Sequence, residues 1–456
     1  MTTAALHTTA SETPKARNIM PNNKTITARL YQVLAASTLC LPCTYLLTQP
    51  VNAQAKAPGV VVSSTATVPT NTPTTATTST PKAAPALPVQ GTFQTPVSEE
   101  RFSRTVAPGI ELTTITRSGG NGPLQIFATR VNPHPENSDV RWKLNVAPAE
   151  YSALKAATVT AMSKKTNAVV AINGGYFAFG GAALGAVKLD GEWIRLPLKN
   201  RTAMGIDNNG RVFIGTLRAS TKVVFGASMP AAGRANQKGF NSVSVGNLNG
   251  YAPEDGTSVV TSRFGKTYKL GADEMAFEIE NSVVRAKLES GVVNISDQGW
   301  TLVARGAMRV LLSRFTVGQT ASLQISAPAN WNKFPTILGA GPRLLRAGKV
   351  ETTEVAEEFR PDVLARGPRS AFGVDTQGQL WFVAVDGRDA EYSVGLNLGE
   401  LAAEMKKLGA IEAICLDGGG STAMTVNGIL VNRPSDGSER RVANALVVTG
   451  DEIAAP

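Results

Sequence analysis

Apolar positions in this chain recur mostly at the spacing of strands. The segments LQIFATRV (124–131) and VRWKLNVA (140–147) interleave apolar and polar side chains near the period of two that strands impose. AEYSALKAATVTAMSKK (149–165) reads instead as a helix, and it feeds the apolar run NAVVAINGGYF (167–177). A second helix is predicted over NLGELAAEMKKLG (397–409). There Leu398, Leu401, Ala402, Met405 and Leu408 share one face, Asn397 and Glu400 are spaced as a capping box, and Gly409 terminates. It too leads into an apolar strand, AIEAICLD (410–417).

The two helix-to-strand units share a plan of buried strand, polar residue and glycines, with Asn173 in one and Asp417 in the other. A closer echo joins RTAMGIDNNGRVFI (201–214) to RSAFGVDTQGQLWF (369–382), both of which place an Asp and a Gly between two strands. Asp207 and Asp375 are therefore expected to be turn residues. Arg201 and Arg369, which open the echoes, are expected to converge on one anion. The pattern predicts an α+β fold in which strands dominate. Its two related halves bring Gly-rich strand ends to one cleft, with largely antiparallel pairing.

Composition separates the ends of the 456-residue chain. LYQVLAASTLCLPCTYLL (30–47) follows Lys24 and Arg29, is uncharged and apolar, and precedes Val51 and Ala53. Residues 1–53 read as a signal peptide cut after Ala53. Membrane attachment follows only if the 30–47 segment is retained. Residues 54–98 are rich in Thr, Pro and Ala and read as a disordered tether. Residues 99–456 form the compact part, and the product is expected in the secreted, periplasmic or envelope space.

The formal charge is +10. Lys15, Arg17, Lys24 and Arg29 against Glu12, with Lys56 and Lys82 in the tether, account for five of those charges and leave about +5 on the compact part. That balance suits an anionic ligand, and no basic block with interleaved aromatics suggests nucleic acid. Beyond Ala53 the chain has one cysteine, Cys415, and one histidine, His134 in the proline-flanked NPHPE. Zinc sites built on His and Cys, Cys–His pairs and internal disulfides lack the residues to form. Carboxylates, hydroxyls and arginines are left to carry any chemistry.

ICLDGGGSTAM (414–424) then stands out. An apolar strand ending in glycines delivers Asp417 to a sheet edge, and the N–H groups of Gly418 and Gly419 with the hydroxyls of Ser421 and Thr422 could form a concave donor site for an oxyanion. VAVDGR (383–388) ends another strand in Asp386 and Arg388, GAGPRLL (339–345) sets Arg343 after a Gly-Pro turn, and AINGGYF carries an amide in place of the carboxylate.

NAVVAINGGYF, RTAMGID, GAGPRLLRAGKV, RSAFGVDTQGQLWFVAVDGR and NLGELAAEMKKLGAIEAICLDGGGSTAMTVNGILVNRPSD, in that order, resemble the phosphodiester glycosidase family over residues 167–448. Residues 99–166 and 216–335 suggest no relative. The resemblance implies cleavage of an N-acetylglucosamine-like sugar-1-phosphodiester to free sugar and phosphomonoester, on an envelope or extracellular glycan. Positive charge developing at the sugar calls for a carboxylate, negative charge on the departing phosphate for arginines and N–H groups. It makes Asp417 the first and Asp386 the second catalytic candidate. Arg343, Arg369 and Arg388 become phosphate ligands, Asn173, Gly174 and Tyr176 the sugar wall, and Gly418, Gly419, Ser421 and Thr422 further donors. No cofactor is required, and a divalent metal bridged by Asp417 and the phosphate is compatible. The competing expectation is a non-catalytic envelope module that binds anionic glycans.

Overall fold

A computed structural model describes residues 96–150, 152–178, 180–226 and 241–452. The expected signal peptide over 1–53 and nearly all of the expected 54–98 tether lie outside these residues. Among the described residues no helix is long and apolar enough to cross a membrane.

Strands dominate, as an α+β fold requires. The largest sheet has eight strands, in the order Pro96–Ala107, Ile110–Gly119, Leu124–Val131, Leu380–Val385, Arg369–Val374, Glu412–Cys415, Arg343–Arg346 and Lys349–Val350. Every pairing in it is antiparallel. Its centre is buried on both faces, which is why LWFVAV at 380–385 is apolar without a break. Phe382 and Ala384 point into the core shared with the other sheets, whereas Val383 and Val385 meet the helix Leu398–Leu408 through Leu401 and Met405. That helix has the predicted ends: Asn397 and Glu400 make the reciprocal capping box and Gly409 closes it at φ 105°.

A five-stranded antiparallel sheet packs across the first core. It runs Ile429–Leu430, Met424–Val426, Val170–Asn173, Asn444–Glu452 and Val140–Pro148. Another five-stranded sheet contains the hairpin Thr202–Ile206 with Val212–Thr216 and the strand Thr336–Gly339. The core joins Ile172 of the one and Met204 and Ile214 of the other to Phe372, Phe382 and Leu416.

The two echoed segments are indeed hairpins with the same turn. Asp207 Oδ1 accepts the N–H groups of Asn209 and Arg211, each at 2.9 Å, and Asp375 Oδ1 accepts those of Gln377 and Gln379 at the same distances. They belong to different sheets.

The first helix is shorter than expected, covering Val159–Thr166 and not 149–165. Thr158 caps it by accepting the Ala161 N–H, while the preceding backbone is diverted into tertiary bonds. The Ala153 N–H donates to Arg263 and the Ala157 N–H to Val442. Residues 220–326 build three small sheets of their own around cores that include Phe225, Phe277 and Leu302, and Tyr268 and Val303.

Candidate active site

The strands Val170–Asn173 and Glu412–Cys415 lie in different sheets, and their glycine-bearing ends meet. The Asp417 N–H donates to the Gly174 carbonyl at 3.0 Å, and Asn173 Nδ2 donates to the Asp417 carbonyl at 2.6 Å. Asn173 is fully buried, and its Oδ1 also accepts Ser370 Oγ at 2.7 Å and the Ala423 N–H at 3.2 Å. The expected sugar-wall amide is therefore a bracket for the Asp417 backbone, with its oxygen doubly engaged and its nitrogen bound. Gly174 answers to packing: a Cβ there would fall 2.1 Å from Asn444 Oδ1, while its own N–H donates to the Asn444 carbonyl.

Asp417 keeps part of its surface open, yet its carboxyl lies deep enough that burial pushes its pKa up to about 6. A hydrogen bond from Ser421, the Gly418 N–H at 3.0 Å and the positive charge of Arg440 oppose that rise. The carboxyl is thus mostly ionised at neutral pH and titrates within a physiological range.

The glycines do not form the expected nest. The Gly418 N–H turns back to Asp417 itself and the Gly419 N–H to the Pro368 carbonyl. The N–H groups of Ser421 and Thr422 close a 3₁₀ turn on Gly418 and Gly419. Side-chain groups stand at the turn as well: Ser421 Oγ with Arg440 Nη1 3.5 Å away, and the guanidinium of Arg388. Thr422 Oγ1 is buried without a hydrogen-bond partner among the described residues.

Arg388 stands beside this turn, half-exposed, with its Nη2 2.9 Å from where a Gly419 Cβ would lie. Of the three arginines expected as phosphate ligands, it is the exposed one, and it lies at the glycine turn that follows Asp417. Tyr176 is another neighbour, its ring tilted on Phe359 and its hydroxyl donating to the Gly341 carbonyl at 2.9 Å. Burial, then Cys415 and Asp417, hold that hydroxyl neutral well above its ordinary range. The echoed arginines Arg201 and Arg369 are not a pair of open anion ligands. Arg201 lies 3.9 Å over the Phe359 ring, and Arg369 gives Nε to the Leu396 carbonyl at 2.9 Å and Nη2 to the Ala365 carbonyl.

Two further expectations are corrected. Asp386 is 1% exposed, and three donors engage its two oxygens, one of them shared. Oδ1 takes Asn432 Nδ2 at 2.9 Å and the Arg433 N–H at 3.1 Å, and Oδ2 takes the same N–H at 2.9 Å and the Tyr392 hydroxyl at 3.2 Å. It clamps the segment that begins at Asn432 and is not a second carboxylate facing a substrate. Arg343 is likewise buried, bound to Glu412 at 2.7 Å and to the Ile214 carbonyl at 2.5 Å, and braces two sheets. Sequence reasoning missed Arg440, Ser435 and Asp436; the polar run NRPSDGSERR (432–441) was the available signal. No group of three or more His, Cys, Asp or Glu side chains that could hold a metal exists among the described residues.

Residues 235–449 match the sequence model of the family described as phosphodiester glycosidase. The match starts inside the segment 216–335 for which the sequence suggested no relative, and it does not reach back to Asn173 or Arg201. A stretch of 91 residues is 38% identical to the N-acetylglucosamine-1-phosphodiester alpha-N-acetylglucosaminidase of Bos taurus, covering 20% of this chain and 17% of that protein. A stretch of 88 residues is 36% identical to the SPbeta prophage-derived uncharacterized protein YomE of Bacillus subtilis (strain 168), covering 19% of this chain and 14% of that protein. The chain thus spans about a sixth of the length of these curated relatives. The crystal structure of a hypothetical protein from Synechocystis superposes with a TM-score of 0.65 at 27% identity, over 76% of this chain and 63% of that one. A protein from Burkholderia pseudomallei K96243 shares the fold, with a TM-score of 0.62 at 19% identity over 77% of this chain and 96% of its own. Over residues 235–449, just under half of its length, the chain is similar to the phosphodiester glycosidase family.

Proposed function

We propose that this chain is an exported hydrolase that cleaves a sugar-1-phosphodiester, with an N-acetylglucosamine-like sugar, to free sugar and phosphomonoester. The observation that carries the reading is Asp417: a carboxyl pushed up to about 6, fixed through its backbone by Asn173 and Gly174, with the positive charge of Arg440 acting on it. In this reaction the bond between sugar C1 and the phosphate oxygen breaks and its electron pair leaves with the phosphate. Ionised Asp417 stabilises or attacks the positive C1, water supplies the new hydroxyl, and cations take up the charge that develops on phosphate. A phosphomonoester leaves more readily than a sugar alkoxide, so the general acid is less critical and no cofactor is required. The family match over residues 235–449 and the printed name of the Bos taurus relative support the class of bond and sugar. An envelope or extracellular glycan supplies such a bond outside the cytoplasm.

The test is incubation of residues 54–456 with a small N-acetylglucosamine phosphodiester, reading free sugar from the wild type and from a folded Asp417→Asn variant. Release by the wild type alone is expected. Binding of the same compound without release by either protein would point to a non-catalytic module for anionic glycans.

A further inference from the structure

The segment from Asn432 to Arg441 lies over the glycine turn. Asp386 fixes its start through Asn432 and the Arg433 N–H. Farther along, Asp436 and Arg440 press on Gly420 so closely that a Cβ there would fall 2.1 Å from Asp436 Oδ2 and 2.2 Å from Arg440 Nη2. Arg388 lies against the adjacent Gly419, its Nη2 2.9 Å from where a Cβ would fall.

These three charged side chains form one group. Arg440 donates Nε at 2.8 Å and Nη2 at 2.5 Å to Asp436 Oδ2, and Arg388 Nη1 lies 4.0 Å from Oδ1 and 3.4 Å from Ser435 Oγ. Arg440 Nη1 also reaches Ser421 Oγ at 3.5 Å, and the positive charge of Arg440 acts on the Asp417 carboxyl. Two cations are therefore gathered at the glycine turn that follows the candidate catalytic carboxylate, and what gathers them is a carboxylate of the chain itself. Guanidinium groups bind carboxylate and phosphate oxygens with the same fork geometry, so the one can stand where the other binds. All three side chains are partly exposed, Arg388 at 56%, Arg440 at 43% and Asp436 at 33%, so a ligand can reach them. Exposed ion pairs are also weak enough to be exchanged.

We propose that Arg388 and Arg440 form the subsite for the ligand's phosphate and that Asp436 occupies it in the free chain as an internal counter-ion, which the phosphate displaces. The inference rests on the proposed phosphodiester chemistry for the identity of the anion. It also gives Asp436 a purpose in turnover. The product monoester carries more negative charge than the diester, and a carboxylate that returns to the arginines helps to expel it.

Titration calorimetry of the full chain with inorganic phosphate tests this. Asp436→Asn should bind phosphate roughly tenfold more tightly than the wild type, because the competing anion is gone. Adding Arg440→Gln or Arg388→Gln to Asp436→Asn should remove that gain, with far-UV circular dichroism and the thermal midpoint confirming that each variant is folded. An unchanged or weaker affinity in Asp436→Asn would overturn the proposal, as would a double variant that binds as tightly as Asp436→Asn, or phosphate binding by none of them. The outcome is separable from the hydrolase reading. Sugar release with phosphate affinity indifferent to these side chains defeats the subsite alone, whereas phosphate binding with the expected dependence and no sugar release defeats hydrolysis alone.

Discussion

Asn173 Nδ2 donates to the backbone carbonyl of Asp417 at 2.6 Å, so a buried amide in one sheet sets the position of the carboxylate that ends a strand in another. The Gly174 carbonyl holds the Asp417 N–H in return. The amide can do this only as an amide, since it donates to Asp417 while accepting from Ser370 and Ala423. Asn173→Asp would set a carboxylate against the Asp417 carbonyl and should lower kcat by about 100-fold with KM changed little, as misplacement of a reacting group does. Steady-state kinetics on a variant of confirmed fold check this.

The pH profile follows from Asp417. If the ionised carboxylate is the working form, kcat/KM should rise with pH through about 6 and then level, the limb reporting the group that burial has pushed up. Arg440 favours the ionised form. In Arg440→Gln the limb should therefore move to higher pH. A falling limb at the same place would instead make Asp417 a general acid.

The same shift has a consequence for stability. A carboxyl whose folded pKa is raised binds its proton more tightly in the folded than in the unfolded state, so its contribution favours folding at low pH and is lost as pH rises from about 4 to about 6. Asp417→Asn removes a poorly solvated charge and should stabilise the protein by about 1–3 kcal/mol at pH 7. The gain should vanish below pH 4, where both side chains are neutral. Thermal unfolding at the two pH values measures it.

Asp386 is expected to act through the segment it clamps. Asp386→Ala leaves Asn432 Nδ2, the Arg433 N–H and the Tyr392 hydroxyl without their acceptor, at a cost of about 2–4 kcal/mol. Because Asp436 and Arg440 lie downstream of that anchor, KM should rise more than kcat falls. A large fall in kcat at unchanged KM would return Asp386 to the reacting atoms.

Far from the site, Arg117 makes a bidentate pair with Glu404, Nη1 to Oε2 at 2.7 Å and Nη2 to Oε1 at 2.8 Å, with both side chains buried. The pair ties the strand Ile110–Gly119 to the helix Leu398–Leu408. Arg117→Ala strands the Glu404 charge and should cost about 3–5 kcal/mol in denaturant unfolding. Replacing both residues with apolar ones should recover most of that loss.

Much of the molecule was legible in the chain itself because local chemistry determines it. The capping box at Asn397 and Glu400, the Gly409 stop, the matching turns at Asp207 and Asp375 and the strand at 124–131 depend on neighbours a few residues away. Asp417 was legible too, since a buried strand that ends in Asp-Gly-Gly-Gly must release its side chain where the backbone turns. The first helix was misjudged where the backbone of Ala153 and Ala157 found partners at Arg263 and Val442, which no local pattern announces.

The roles of the other polar residues were decided by tertiary structure alone. Asp386, Arg343 and Arg369 have the residue types of an active site, but each is enclosed by acceptors or donors from distant segments and is consumed in holding them together. Arg440 and Asp436, in an unremarkable polar run, reach the glycine turn only because Asp386 fastens that run across it. A sequence specifies which groups are present and what the backbone nearby must do. Whether a buried charge serves a ligand or its own fold depends on which partners long-range packing brings within about 3 Å of it.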